Sequence, residues 1–188
     1  MIVTYQGQSS FKISQGSLSL SINPTSKTAA DITLFTTKRS DTSDKSGFVI
    51  FGPGEYEVKD VSIKGFLSKG KGDLINTVYK MNVEGMNICF LGDLSSAELD
   101  SNIIEELEDI DLLFVPVGGE GVLDHNSGYK LSVKLEPALI IPMHYNAESL
   151  KKFIKEAGED KVDAIDKLVI KKKDLEGKEG EIVVLKEE

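Results

Sequence analysis

The chain has 188 residues, 40% of them apolar, which is enough for one well-filled core and too few for two comfortable domains, so residues 1–188 read as a single domain. A net charge of −9 argues against nucleic acid as a partner, because the only tight basic cluster is Lys171-Lys172-Lys173, a run that serves solubility and strand-edge protection. One cysteine, Cys89, excludes an internal disulfide, and the opening Met1-Ile2-Val3-Thr4-Tyr5 lacks the basic start and apolar run of a signal peptide; with no stretch long enough to span a bilayer, a cytoplasmic protein without membrane contact is expected.

In chain order, the first half reads as short strands: Ile2 to Tyr5, Phe11 to Ser14, Leu18 to Ile22 with strict alternation, and Ile32 to Thr36. A further meander is expected over Phe48 to Phe51, Tyr56 to Val58, Val61 to Phe66, Asn76 to Val83 and Asn87 to Leu91. Its turns fall at Gly52-Pro53-Gly54, Gly70 to Asp73 and Glu84-Gly85, and the last two strands read as a hairpin.

After Asp93 the pattern changes. Ser96 is positioned to cap a helix whose Leu99, Ile103, Ile104 and Leu107 recur at helical spacing. Asp111 to Val117 and Leu139 to Met143 are continuous apolar runs, which fit strands buried on both faces, with a helix between them around Asn126 to Leu135. Ser149 to Ala157 reads as a third helix ended by Gly158, and Lys167 to Lys172 with Glu181 to Leu185 as a closing pair of strands. A β-rich half followed by alternating helices and buried strands implies two packed sheets with helices outside.

Six segments, in this order, resemble the branch of the metallo-β-lactamase superfamily related to L-ascorbate-6-phosphate lactonase. They are Tyr5-Gln6-Gly7-Gln8-Ser9-Ser10-Phe11, Ala30-Asp31-Ile32-Thr33-Leu34, Gly52-Pro53-Gly54-Glu55-Tyr56-Glu57, Leu91-Gly92-Asp93-Leu94, Val115-Pro116-Val117-Gly118-Gly119 and Ile141-Pro142-Met143-His144-Tyr145. The resemblance implies an αββα two-sheet sandwich of the α/β (α+β) class. It also implies two divalent metals at one sheet edge that activate a bridging water.

Against the superfamily's His-x-His-x-Asp-His signature this chain has Thr37-Lys38-Arg39-Ser40-Asp41-Thr42, which keeps only the aspartate. The family's His-Leu-Gly-Asp string is here Phe90-Leu91-Gly92-Asp93, and a phenyl ring has no lone pair to donate. The resemblance thus assigns Thr37, Arg39 and Phe90 to the private ligand positions of the first metal, all lost. For the second metal it leaves Asp41, Asp93 and His144, with Thr42 replacing a histidine. Two neighbouring positions also depart: Gln8 stands for a histidine, and Asn23-Pro24 for Asp-Pro.

Arg39 suggests charge replacement, a guanidinium standing where the first cation sat and pairing with Asp93 or Asp41, since two carboxylates in a cleft would otherwise repel. The three survivors either hold one Zn²⁺, Mn²⁺ or Fe²⁺ weakly, or are relics satisfied by hydrogen bonds, with no metal at all.

Other candidates have bland readings beside the functional ones. His125, in Leu123-Asp124-His125-Asn126-Ser127, is a fourth ligand or part of a helix start. Ser9 and Ser10 lack a nucleophile elbow, and Cys89 is a small buried hydrophobe. Gly118-Gly119-Glu120-Gly121 lacks the Lys-Ser/Thr ending of a P-loop and reads as a cleft-edge loop, and Tyr56 is a candidate cleft-border residue. Two functions follow. One is a degenerate, non-catalytic member (a pseudoenzyme) that binds a small molecule or a protein partner. The other is a hydrolase of a small ester, lactone or phosphoester with a residual single-metal site. Oligomeric state is left open by the sequence.

Overall fold

The computed structural model describes residues 1–26, 28–37, 47–72 and 74–188. Among them, β1 (Ile2–Tyr5), β2 (Phe11–Gln15), β3 (Leu18–Ile22), β4 (Ile32–Phe35), β5 (Phe48–Phe51) and the two-residue β12 (Leu168–Val169) form one sheet, in the order β12-β1-β2-β3-β4-β5. β6 (Gly54–Val58), β7 (Val61–Lys69), β8 (Ile75–Val83), β9 (Met86–Phe90), β10 (Leu112–Pro116), β11 (Leu139–Met143) and β13 (Glu181–Ile182) form the other, in the order β13-β11-β10-β9-β8-β7-β6. Both sheets mix parallel and antiparallel pairs.

Alternation decides which side chains enter the core. The β2/β3 register opposes Phe11 to Ile22 and Ile13 to Leu20, all buried, and leaves Lys12, Ser14, Ser19 and Ser21 on the opposite face. The facing sheet answers with Ile63, Tyr79, Met81, Ile88, Phe90 and Phe114. At the centre, Phe11 lies 4.8 Å from Phe114 and 5.8 Å from Phe90, ring centroid to centroid, both edge-to-face, an arrangement that the ring quadrupole favours.

The other face of the seven-stranded sheet carries Val78, Cys89, Leu91, Leu113 and Val115, covered by α1 (Ser101–Glu106), α2 (His125–Leu135) and α3 (Ala147–Glu156). Because β10 and β11 are thereby buried on both faces, they are apolar throughout, as the continuous runs required. Parallel β10 and β11 need a crossover, which α2 supplies. Gly128 lets that helix approach closely, since a Cβ there would lie 3.0 Å from Pro116 O and from Val117 Cγ1.

Three expectations are corrected. The first helix is capped by Asp100, whose carboxylate accepts from Asn102 N at 2.9 Å, whereas Ser96 Oγ accepts only from Glu98 N at 3.2 Å in a local turn. β5 does not join the meander: it runs parallel to β4, and Gly52-Pro53-Gly54 carries the chain from one sheet to the other. The closing strands are not a pair. Leu168 pairs with β1 and Glu181 with β11, so each extends a different sheet, and a 3₁₀ turn over Lys172–Leu175 lies between them. The β8–β9 hairpin stands as expected, with Glu84 (φ 49°) and Gly85 (φ 79°) both left-handed, the geometry that matches strand twist.

Candidate functional site

Six chain segments reach one edge of the sandwich. They are the loop after β1 (Gln6 to Ser10), Asn23 after β3, Thr36 and Thr37 after β4, Asn76 in β8, Leu91 to Asp93 after β9, and His144 after β11. Each of these positions follows or begins a strand, so the sheets bring together residues far apart in sequence.

A hydrogen-bond network fixes this edge. Asn23 Nδ2 donates to Thr36 Oγ1 at 2.9 Å while Thr36 N donates to Asn23 Oδ1 at 2.9 Å, a reciprocal pair that locks the ends of β3 and β4 together. Thr77 N donates to Thr36 O at 2.7 Å and so ties the two sheets. Asn76 Nδ2 donates to Leu91 O and to Ser68 Oγ, each at 2.9 Å, and its Oδ1 accepts from Asp93 N at 2.9 Å. Gly92 must be glycine here: its φ is 63°, and a Cβ would fall 2.5 Å from Asn76 Oδ1 and 2.6 Å from Thr36 Cβ. Ser9 Oγ then donates to Asp93 Oδ1 at 2.7 Å, a charge-assisted bond from one sheet to the other.

The same loop holds His144. His144 N donates to Gln8 O at 2.8 Å, and the Tyr5 hydroxyl, raised in pKa by burial and then by Tyr145, donates to that carbonyl at 2.9 Å. Adjacent residues of one loop therefore grip two of the three carry-over positions, Gln8 at His144 and Ser9 at Asp93, and the third, Asp41, lies outside the described residues. Gln8 (φ 53°), Asn23 (φ 47°) and His144 (φ 52°) all take left-handed backbone conformations that disfavour side chains. Gly118 belongs to it as well, since a Cβ there would lie 1.9 Å from His144 O. In the same glycine loop, the Lys71 stem lies over Gly121.

The lost ligand positions separate. Phe90 is fully buried between the sheets, its ring 5.3 Å from Phe114, so it is core. Thr37 is half-buried and bridges to Asn76 in β8. Arg39, Asp41 and Thr42 lie outside the described residues. Among the described residues no group of three or more His, Cys, Asp or Glu is placed to hold a metal ion. Asp93 and His144 are two donors of the carried-over set, fewer than the three protein ligands of an ordinary catalytic site, and Asp93 is already engaged by Ser9. The described residues alone do not fit a metal.

Sequence reasoning missed Asn76, the hub of the network, and treated Asn23 only as a drifted position. The available clue was an amide beside a threonine at the start of a strand whose later residues Val78, Tyr79, Met81 and Val83 are buried. The bland readings fared better. His125 opens α2 behind the Asp124 cap, its Nδ1 3.4 Å from Glu156 Oε1. Cys89 is enclosed, its thiol pushed up to about 12 by burial. Tyr56 folds its hydroxyl back onto Pro53 O at 3.3 Å.

Residues 2–144 match the sequence profile of the beta-lactamase superfamily domain. The chain belongs to that superfamily. A structure from Thermotoga maritima, assigned to the zinc-dependent hydrolases of the metallo-beta-lactamase superfamily, superposes with a TM-score of 0.86 at 26% identity, covering 100% of this chain and 99% of that one. A metallo-hydrolase from Ignicoccus hospitalis shares the fold, with a TM-score of 0.65 at 18% identity over 90% of this chain and 99% of its own. A relative from Carboxydothermus hydrogenoformans, named a UPF0173 metal-dependent hydrolase, is 31% identical over 68 residues; that match covers 36% of this chain and 30% of the relative's length. What this chain shares with these proteins over its whole length is the two-sheet fold, and it spans about a third of the length of the curated relative it matches. Among the described residues, no helix is long and apolar enough to cross a membrane.

Proposed function

We propose that this chain uses the superfamily fold to bind a small molecule at the Ser9–Asp93–His144 edge and does not run the two-metal hydrolysis of its relatives. One observation carries the reading. At the position that the resemblance assigns to a first-metal ligand, the Phe90 ring packs into the aromatic core, 5.8 Å from Phe11 and 5.3 Å from Phe114. A metal that has lost its private ligands takes with it the bridged water on which the two-metal mechanism depends. In its place stands a neutral amide and hydroxyl network that fixes the Asp93 backbone and satisfies one carboxylate oxygen. The Arg39 guanidinium would supply the balancing positive charge, and Arg39→Ala would then either lower the melting temperature or restore metal uptake.

A second reading has its own support. Gln8 and Ser9 bind His144 and Asp93 from one loop, which keeps two donor-bearing residues at a common edge. With Asp41 they would form a single-metal site for Zn²⁺, Mn²⁺ or Fe²⁺, and the chain would hydrolyse a small ester, lactone or phosphoester, the lactone being the substrate type of the branch it resembles. Metal per chain, measured by elemental mass spectrometry after dialysis against the three ions, decides between them. The binding reading expects no stoichiometric metal in the wild type or in His144→Ala. One equivalent that disappears in His144→Ala would overturn it.

A further inference from the structure

The two sheets end side by side on one flank of the sandwich. β12 and β1 close the six-stranded sheet there, and β13 and β11 the seven-stranded one. The segment after β13 passes from the second sheet to the first, with Val183 N donating to Ile140 O and Glu188 N to Tyr5 O. β1 and β11 both run toward the candidate site, where His144 N meets Gln8 O, so their starts, Ile2 and Leu139, lie at the opposite end of this flank.

Near the start of β1 is an apolar patch among lysines, on the outer face of the six-stranded sheet. All three α-helices pack on the other sheet, so among the described residues no α-helix covers this face. Ile2 and Val169 stand opposite each other across β1 and β12, 40% and 63% exposed, and Val169 is the most exposed of the large apolar residues described. Strand alternation puts Lys167 and Lys171, two residues to either side of Val169, on the same face, and Lys12 on β2 beside Ile2. Lys172 and Lys186 are taken by Asp111 and Asp166, whereas Lys12, Lys167 and Lys171 make no ion pair among the described residues.

Near the start of β11 is a groove of about 700 Å³ between α2, the end of α3 and β13. Tyr129, Val133, Pro137 and Ile182 give it an apolar lining. Its charged residues are four exposed glutamates, Glu136, Glu159, Glu179 and Glu181, and of these only Glu181 has an ion pair among the described residues, with Lys178.

An apolar patch with three unpaired lysines and an apolar groove with three unpaired glutamates are complementary in both respects. We infer that they cover each other between two copies of this chain, the Ile2–Val169 patch of one protomer docking in the glutamate-rimmed groove of its partner. Because both surfaces lie at the same end of one flank, a two-fold axis beside that flank and parallel to β1 and β11 carries each patch to the other groove. The contact is then made twice and the pair closes as a dimer. The lysines around β12 oppose direct pairing of strand edges, so the contact runs from sheet face to groove.

Sedimentation velocity of the full chain tests this. The wild type should form a dimer that grows with concentration and weakens as salt rises from about 0.1 M to about 1 M, which shortens the screening length from about 10 Å to about 3 Å. Lys12→Glu with Lys167→Glu and Lys171→Glu should be monomeric, and so should Glu136→Lys with Glu159→Lys and Glu179→Lys, because each then opposes like charges; circular dichroism checks that both are folded. Mixed in equal amounts, the two triple variants should associate with each other, since every patch again meets a groove of opposite sign. Ile2→Ser with Val169→Ser should weaken the wild-type dimer by about tenfold or more, because its apolar area no longer leaves water. A wild type that stays monomeric up to millimolar concentration would overturn the inference. So would a dimer indifferent to both triple variants, or a mixture of the folded variants that stays monomeric.

Discussion

The aromatic trio of Phe11, Phe90 and Phe114 and the polar network of Asn23, Thr36, Asn76 and Asp93 meet at the end of β9, where Phe90 precedes Asp93 by three residues, yet they are held by opposite means. Below, three rings exclude water and need only shape and area. Above, buried amides and hydroxyls persist because nearly every polar atom finds a named partner. Within the string Phe90-Leu91-Gly92-Asp93 the chain passes from one regime to the other, so the same stretch that aligns with a metal-binding motif has one foot in the core.

The sharpest way to break this contrast is at Phe90. Phe90→Ala should destabilise by about 3–5 kcal/mol, seen as a lower denaturation midpoint with unchanged slope, because a large cavity opens in a close-packed layer. Phe90→His should also destabilise, and without metal uptake, since the ring points between the sheets; a stable Phe90→His protein that binds zinc would refute the core assignment.

Asn76→Ala probes the other regime. It orphans Leu91 O and Asp93 N and should cost about 2 kcal/mol, at roughly 1 kcal/mol for each unpaired group, with shifts at Asp93 and Thr37 in the amide spectrum. Ser9→Ala should cost about 1 kcal/mol or less, because half-buried Asp93 can recruit water where the hydroxyl was.

The smallest effect belongs to a surface pair at the far end of β4, where Asp31 accepts from Lys59 and from Ser19. Those contacts, the Lys59 bond foremost, lower the Asp31 pKa from an ordinary 3.8 to about 2. A depressed folded pKa contributes stability above pH 3.8 that is lost as pH falls toward about 2. Lys59→Met should flatten that part of an acid titration slightly and leave neutral stability almost unchanged, as expected for an exposed pair.

Much of the fold was legible because local rules and burial agree. The alternation of Leu18, Leu20 and Ile22, the two all-apolar runs at β10 and β11, and the Glu84-Gly85 turn each encode one structure. Where the structure departs from the reading, the sequence held two solutions of similar local merit. Ser96 and Asp100 are both cap residues, and only the packing of Ile103, Ile104 and Leu107 under the sheet selects the later start. Two short half-apolar segments, around Leu168 and Glu181, look alike in isolation, and only the free edges of the two sheets separate them.

The sequence by itself determined most strands, helices and turns, because hydrophobic period and turn residues are local properties, and the resemblance of its six ordered segments pointed to the superfamily and its sandwich. The tertiary structure alone decided that Phe90 is core, that Asn76 is the hub of the edge, and that Gln8 and Ser9 join His144 to Asp93. Those facts depend on which strands lie side by side, and strand neighbours are chosen by the whole core, not by any one segment.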